Sequence, residues 1–421
     1  MTKDLIKILI AEYQKFVCNV ELVPREVEFV DGQNYVFVGL RHVGKSYLMY
    51  QRIAQLVAQG HHPEEILYFN FEDDRIDSLD ITDLELIKTS YEEMYDSRPI
   101  LFLDEVQLVE RWEKFARRLA DQKYQVYITG SNAKMLSSEI ATTLGGRYMI
   151  LEVFPYSFSE YLSCHGISLK TKGAEYAHHA EIVKLAVDYL RHGGMPEAAL
   201  MKKSRQWLSS LFDRIFFGDL IARHKIRNDF ALRVLVRKLA ESVMQPLSYT
   251  RIANIVSNAG KKLSTDAAID YVGYMVESWL ILPFENLYGK LQDKETTRKY
   301  YFTDNGILAL FLVDGKASLL ENIVAVSLRR MFSNGCYYWS SRNAEVDFVV
   351  PDMRLGVQVS YVMNDVETER REVSALLSVA KYLDLEQLVV ITMDEERTIE
   401  CDGRRIEVIP LWRWLSQGYL K

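Results

Sequence analysis

The sequence is poor in cysteine, in proline, in long apolar runs and in net positive charge. Four cysteines, Cys18, Cys164, Cys336 and Cys401, are scattered over 421 residues with no CxxC pair. That spacing argues against a disulfide framework and against a zinc knuckle. No stretch approaches the roughly 18 uninterrupted apolar residues a membrane helix needs. The opening MTKDLIKILIAEYQKF carries a charge every few residues where a secretory signal has an apolar core. No membrane partner is expected, and the expected setting is reduced and cytoplasmic. The formal net charge of −7 argues against a surface coated with nonspecific nucleic-acid-binding charge. It leaves room for a local basic face, because the phosphate contacts that matter are local. With 9 prolines and 48% hydrophobic residues, disorder on the scale of a domain is not expected.

The length suggests two or three domains. Residues 3–16 show helical spacing, with Leu5, Ile8, Leu9, Ile10 and Tyr13 read as one face. Then NYVFVG (34–39), ILYFNFED (66–73), PILFLDE (99–105) and QVYITGS (125–131) alternate with helical stretches, and RYMILEVFPYSFSEYL (147–162) reads as a final strand leading into a helix. Uniformly apolar strands between helices indicate an α/β domain with a parallel sheet covered on both faces. Residues 180–245 read as mostly helical. Residues 246–304 follow a helix, turn, helix, hairpin outline, that of a winged helix-turn-helix, with Ser248 and Ser264–Asp266 at helix starts. From 318 the pattern returns to α/β: a helix (319–332), the strands CYYWSSR, EVDFVVP and LGVQVSY, a helix (367–382) and QLVVITMDE. The expected boundaries are 1–165, 166–245, 246–317 and 318–421.

Gly39-Leu40-Arg41-His42-Val43-Gly44-Lys45-Ser46 fits the P-loop pattern G-x-x-x-x-G-K-[ST], set between a strand and a helix as that pattern requires. Glycines let the loop wrap so that its N–H groups point at phosphate oxygens, and the following helix presents its positive end. Lys45 is expected to reach the β- and γ-phosphates of ATP, and Ser46 to ligate Mg²⁺. One strand-helix unit downstream, PILFLDE ends in Asp104-Glu105, the shape of a Walker B element. Asp104 is expected to hold Mg²⁺ and Glu105 to polarise the attacking water. Thr129, Ser131 and Asn132 end the next strand as candidate sensors of the γ-phosphate, with a helix cap as the alternative for each. Arg147 is a candidate arginine finger toward a neighbouring copy in a homo-oligomer, or a lone surface arginine. NFEDDRID (70–77) reads as a surface turn rather than a metal site.

The motifs VGLRHVGKS, ILYFNFEDDR, PILFLDEVQ and YITGSNAKMLSSEIATTLGGRYMILEVFPYSFSEYL, in this order, resemble an AAA+-like family of bacterial and archaeal P-loop ATPases. Those proteins carry a C-terminal winged helix and a restriction-endonuclease-like, PD-(D/E)xK, domain. The resemblance implies that Glu321 fits the helix acid of the nuclease motif, Asp347 the strand acid, and Gln358 and Ser360 the E and K positions. An amide is a poorer Mg²⁺ ligand than a carboxylate, and serine supplies no fixed charge. DNA cleavage is therefore not expected, although Lys381 or an arginine reaching in would alter that reading. Basic runs at 201–207, 222–227 and 236–240, Lys261-Lys262 before the second helix and Arg298-Lys299 on the wing suggest DNA as partner. The helix STDAAIDYVGYMVESW is poor in residues that read base edges. The alternative is an ATP-dependent signalling or defence switch that binds a protein, and a third reading is an active Mg²⁺-dependent nuclease.

Overall fold

A computed structural model describes residues 1–76, 80–130, 142–170, 173–290, 294, 296–342, 344–363 and 365–417. The chain divides into two compact units, Met1–Phe154 with Glu277–Trp279, and Pro155–Val276 with Leu280–Lys421. Among the described residues no helix is long and apolar enough to cross a membrane.

In the first unit, five short apolar segments form β1 (Asn34–Val38), β2 (Ile66–Asn70), β3 (Ile100–Asp104), β4 (Val126–Gly130) and β5 (Tyr148–Glu152). They pair in parallel in the order β2-β3-β4-β1-β5. β3 and β4 are buried at every position, as a parallel sheet covered on both faces requires. β5 departs from that expectation: it lies at the edge, and Met149 and Ile150 are exposed. Tyr127 anchors the core, stacked on Phe102 with ring centroids 4.5 Å apart and on Tyr35 at 5.9 Å. The helices are α1 (Lys3–Val17), α2 (Lys45–Ala58), α3 (Ile81–Tyr95) and α4 (Trp112–Asp121). The buried face of α1 is rotated from the one expected. Ile6, Leu9, Ile10, Gln14 and Val17 are inside, while Ile8 is exposed. The run LIKILI offers two overlapping stripes, and continuation to Gln14 and Val17 selects the one that packs.

In the second unit, helices Phe158–Cys164, His179–His192, Ser204–Arg214 and Asp229–Glu241 precede a three-stranded antiparallel sheet. Its strands β6 (Leu247–Ser248), β7 (Ile281–Phe284) and β8 (Thr297–Phe302) lie in the order β6-β8-β7. Helices Tyr249–Asn258 and Thr265–Glu277 intervene. Ser248 Oγ accepts from Arg251 N at 3.3 Å and Ser264 Oγ from Ala267 N at 3.1 Å, so both serines cap the helices they precede.

Helix Lys316–Phe332 leads into a six-stranded mixed sheet, β13-β14-β12-β11-β10-β9. β9 (Tyr337–Ser340), β10 (Glu345–Val350) and β11 (Leu355–Val359) are antiparallel neighbours, and β11, β12 (Gln387–Thr392) and β14 (Arg404–Pro410) run parallel. Helix Val366–Leu383 crosses from β11 to β12 and buries Val373, Leu376, Val379 and Ala380 against Val346, Val390 and Val408. The hairpin of β13 (Arg397–Cys401) and β14 was not visible in the sequence, because the edge strand RTIEC is largely solvated. Beyond β7 the chain runs beside β9. Tyr338 N donates to Glu285 O at 3.0 Å and Leu287 N to Tyr338 O at 2.9 Å, which joins the two sheets.

Candidate functional site

The loop after β1 is tightly determined by backbone. Val153 N donates to Val38 O at 2.7 Å, so the chain beyond β5 passes directly beside Gly39. Gly39 has φ +152°, and a Cβ there would lie 2.2 Å from Val153 O. His42 at φ 62° and Gly44 at φ 93° turn the loop into the start of α2. Lys45 is buried, and its ammonium donates to the carbonyls of Gly39 at 3.2 Å and Leu40 at 3.1 Å. Leu40 and Val43 pack into the core, while Arg41, His42 and Ser46 have partly exposed side chains. A brace comes from Arg25, which donates to Val43 O at 3.0 Å and to Phe154 O at 2.7 Å while its own N–H is held by Gln51 Oε1 at 2.6 Å.

The ends of β2, β3 and β4 meet beside this loop. Asp104 is buried and accepts from the Tyr68 hydroxyl at 2.6 Å and from the Thr129 hydroxyl, and the nearby Ser46 hydroxyl also favours its charged form. Burial and then the Glu105 charge raise the Asp104 carboxyl above its ordinary value, against these donors. Burial and the Asp104 charge push the Tyr68 phenol far up, so it stays a donor. Glu105 sits in the left-handed region at φ 57°; its N–H donates to Thr129 Oγ1 at 2.8 Å and its Oε2 accepts from the Gln107 amide. Thr129 thus touches both acids at once. Glu72, from the expected surface turn, faces the same place: its carboxyl is raised by burial and by Glu105, and Arg41 stands 3.7 Å away. Asp73 in that turn is held by Arg75 and Tyr13 instead.

The loop and the two acids that the sequence singled out therefore converge. Ser131 and Asn132 lie outside the described residues. Arg147 precedes β5, whose Tyr148 pairs with Asn34, so it stands at the end of the sheet opposite the loop. Its Nε donates to Asp121 at 2.5 Å.

A second polar cluster is buried in the other unit. Glu321 on helix Lys316–Phe332, Asp347 on β10 and Gln358 on β11 come together as the family resemblance implied, but around a lysine expected elsewhere. Lys299 does not lie on an exposed wing. Its side chain is fully buried, 3.4 Å from Glu321, 3.2 Å from Glu345 and 3.5 Å from Asp347. From Lys299 onward every position of β8 is buried, so the strand is covered on both faces there and the ammonium lies inside. Arg298 is paired with Glu285 at 3.1 Å, and Lys381 is exposed. Tyr301 donates to Glu321 Oε1 at 2.7 Å, while Glu321 Oε2 has no hydrogen-bond partner. Gln358 Oε1 accepts from Asp347 N at 2.7 Å and its amide nitrogen donates to Glu372. Burial and then the Glu321 charge raise Asp347 well above the usual carboxylate range, with Lys299 opposing; the surrounding acids in turn raise Lys299 despite its burial.

Arg25, Tyr68, Gln107, Glu345 and Lys299 were missed. Arg25 and Gln107 belong to no motif. Tyr68 carried a faint signal, a hydroxyl within a buried strand, and Lys299 another, a lysine directly before the apolar run YYF.

A five-stranded parallel sheet with a glycine-bounded loop after its first strand and an acid pair after its third defines a P-loop ATPase domain. Comparison with known proteins agrees: residues 31–162 match the AAA domain family, and residues 183–317 match a domain of unknown function, DUF8612. Over 403 residues the chain is 30% identical to an uncharacterized protein of Methanocaldococcus jannaschii, covering 92% of this chain and 89% of that one. It is 30% identical over 401 residues to an uncharacterized protein of Haemophilus influenzae, covering 91% and 94%. The chain belongs to one family with these two proteins. Among solved structures it is distantly similar to a Walker-type ATPase of Pyrococcus abyssi, with TM-score 0.36 and 13% identity over 66% of this chain and 90% of that one. The ORC1 protein of Aeropyrum pernix, solved with DNA, gives TM-score 0.28 and 13% identity over 77% and 94%.

Proposed function

We propose that the protein binds ATP with Mg²⁺ at Gly39–Ser46, hydrolyses it, and uses the nucleotide state to move its C-terminal domains on DNA. The observation that carries the ATPase reading is the placing of the Ser46 hydroxyl next to the buried Asp104 carboxyl, at the loop that holds Lys45, so that two hard oxygen donors suited to a phosphate-bound Mg²⁺ lie together. Loop N–H groups and Lys45 hold the phosphates, and Ser46 and Asp104 hold the cation. Bound Mg²⁺ would neutralise charge on the phosphate oxygens. Glu105 accepts the proton of the attacking water, and Thr129 fixes the backbone that aims it. Action of Arg147 on the nucleotide of a second copy requires it to exchange Asp121 for phosphate.

In this reading 1–165 is the ATPase core, 166–245 a helical connection, 246–317 a winged helix and 318–421 a restriction-endonuclease-like domain without cleavage activity. Support for DNA comes from an exposed basic patch. Lys225, Arg227, Lys261 and Lys262 are exposed, and Lys261 Nζ lies 5.9 Å from the ring of Phe230, just beyond Arg227. Such a patch contacts phosphate rather than bases. A second reading, a protein partner, is favoured by the outward face of helix Thr265–Glu277, where Asp266, Ile269 and Asp270 are exposed. The test is ATP turnover and filter retention with duplex DNA at rising salt. Retention that falls steeply with salt and weakens in Lys261→Glu/Lys262→Glu supports DNA. Retention absent, or indifferent to salt, removes it in favour of a protein partner.

A further inference from the structure

The acids that resemble a nuclease's metal ligands fail the test of fit for Mg²⁺. Carboxylate oxygens hold Mg²⁺ at about 2.0–2.1 Å in near-octahedral geometry. Here Lys299 Nζ stands between Glu321, Glu345 and Asp347 at 3.4, 3.2 and 3.5 Å, in the space such an ion would need. Gln358 is committed on both sides of its amide, to Asp347 N and to Glu372, and is not turned toward the cluster as a ligand. Asp347 Oδ2 accepts from Val359 N at 2.9 Å. Among the described residues no group of three His, Cys, Asp or Glu side chains is arranged to hold a metal ion. Glu321, almost fully buried, keeps one oxygen without a hydrogen-bond donor, so the ammonium is the positive charge that balances it.

We propose that the Lys299 ammonium is the resident cation of this cluster, occupying the place of a divalent ion and closing the site to metal and to nucleic acid. The lysine comes from the three-stranded sheet while its acids come from helix Lys316–Phe332 and the six-stranded sheet, so the same ion pairs also fasten one sheet to the other. A migrated catalytic lysine would need an open cleft in which substrate and metal reach the acids, and here the ammonium is fully buried. The inference stands on this geometry and is independent of whether the chain hydrolyses ATP.

The test uses the nucleotide-free full chain and Mn²⁺ alone, with bound ion counted by electron paramagnetic resonance. Wild type is expected to bind no Mn²⁺ that Asp347→Asn removes. Lys299→Met, its fold checked by circular dichroism, leaves three acids without their cation. It is expected to bind Mn²⁺ at least tenfold more tightly than wild type, with the gain lost in Lys299→Met/Asp347→Asn. Wild-type binding that Asp347→Asn abolishes overturns the proposal, as does a folded Lys299→Met that takes up no more Mn²⁺ than wild type. Where Lys299→Met fails to fold, the comparison of wild type with Asp347→Asn decides alone.

Discussion

Replacing Thr129 by valine removes one hydroxyl and leaves the shape of the side chain nearly unchanged. In the structure that hydroxyl donates to Asp104 and accepts from Glu105 N at 2.8 Å, and Thr129 is fully buried. Leaving the Glu105 N–H without an acceptor costs about 1–3 kcal/mol, and losing a hydrogen bond to a charged acceptor costs about 1.5–3 kcal/mol. The two are not additive, because the Tyr68 hydroxyl remains on Asp104 and Glu105 is only partly buried. A net effect of about 2–4 kcal/mol on the first unit follows. Only part of it falls on the aim of Glu105. If roughly half does, turnover drops about 5- to 30-fold at 1.4 kcal/mol per decade. Binding changes less, since Thr129 is bonded to the two acids rather than to the phosphate loop. The assay is steady-state ATP hydrolysis beside fluorescent-nucleotide binding, with Thr129→Ser as the control that restores the hydroxyl. A Thr129→Val variant that hydrolyses ATP at the wild-type rate would refute the role given to this brace.

Other substitutions probe the same and neighbouring features. Lys45→Ala should abolish nucleotide binding, measured by equilibrium dialysis. Glu105→Gln should retain binding and lose turnover, and rapid hydrolysis by it would remove Glu105 as the base. Gly39→Ala places a Cβ 2.2 Å from Val153 O and should weaken nucleotide binding more than tenfold; an unchanged affinity would contradict the tight loop path. Asp304 is buried and accepts from Gly194 N at 2.8 Å and Ile307 N at 3.1 Å, yet burial pushes its carboxyl up to about 6. A carboxyl raised in the folded state contributes stability below its unfolded value of about 3.9 that is lost as pH rises through about 6. The stability of wild type relative to Asp304→Asn should therefore fall by about 1–2 kcal/mol between pH 5 and 7.5. Urea titrations of both proteins test this, and a pH-independent difference would refute it.

Residues within the parallel sheet were legible because the short strands are mostly apolar and alternate with helical stretches. The phosphate loop was legible because its geometry is a property of eight consecutive residues. Asp104 and Glu105 could be read from their place at the end of β3. What local pattern could not supply was the set of partners arriving from elsewhere in the chain, such as Tyr68 on Asp104 or Arg25 on the loop. Periodicity also failed where a segment offered two faces, as in α1, and where an edge strand had no buried face to give it away, as in β13.

Lys299 marks the division most clearly. By itself the sequence determined the strand order's raw material, the loop Gly39–Ser46, the acid pair at β3 and the presence of Glu321, Asp347 and Gln358, which the family resemblance matched to a nuclease motif. Whether those last three serve a metal was decided only in the tertiary structure. The deciding charge lies 22 residues from Glu321 in the chain and enters from another sheet. A lysine after an arginine on a predicted wing reads as a solvent-facing cation, because sequence carries no information on what covers the second face of a strand. Once both faces of β8 are covered, the ammonium cannot remain in water, and the nearest compensation for its desolvation is the cluster of carboxylates.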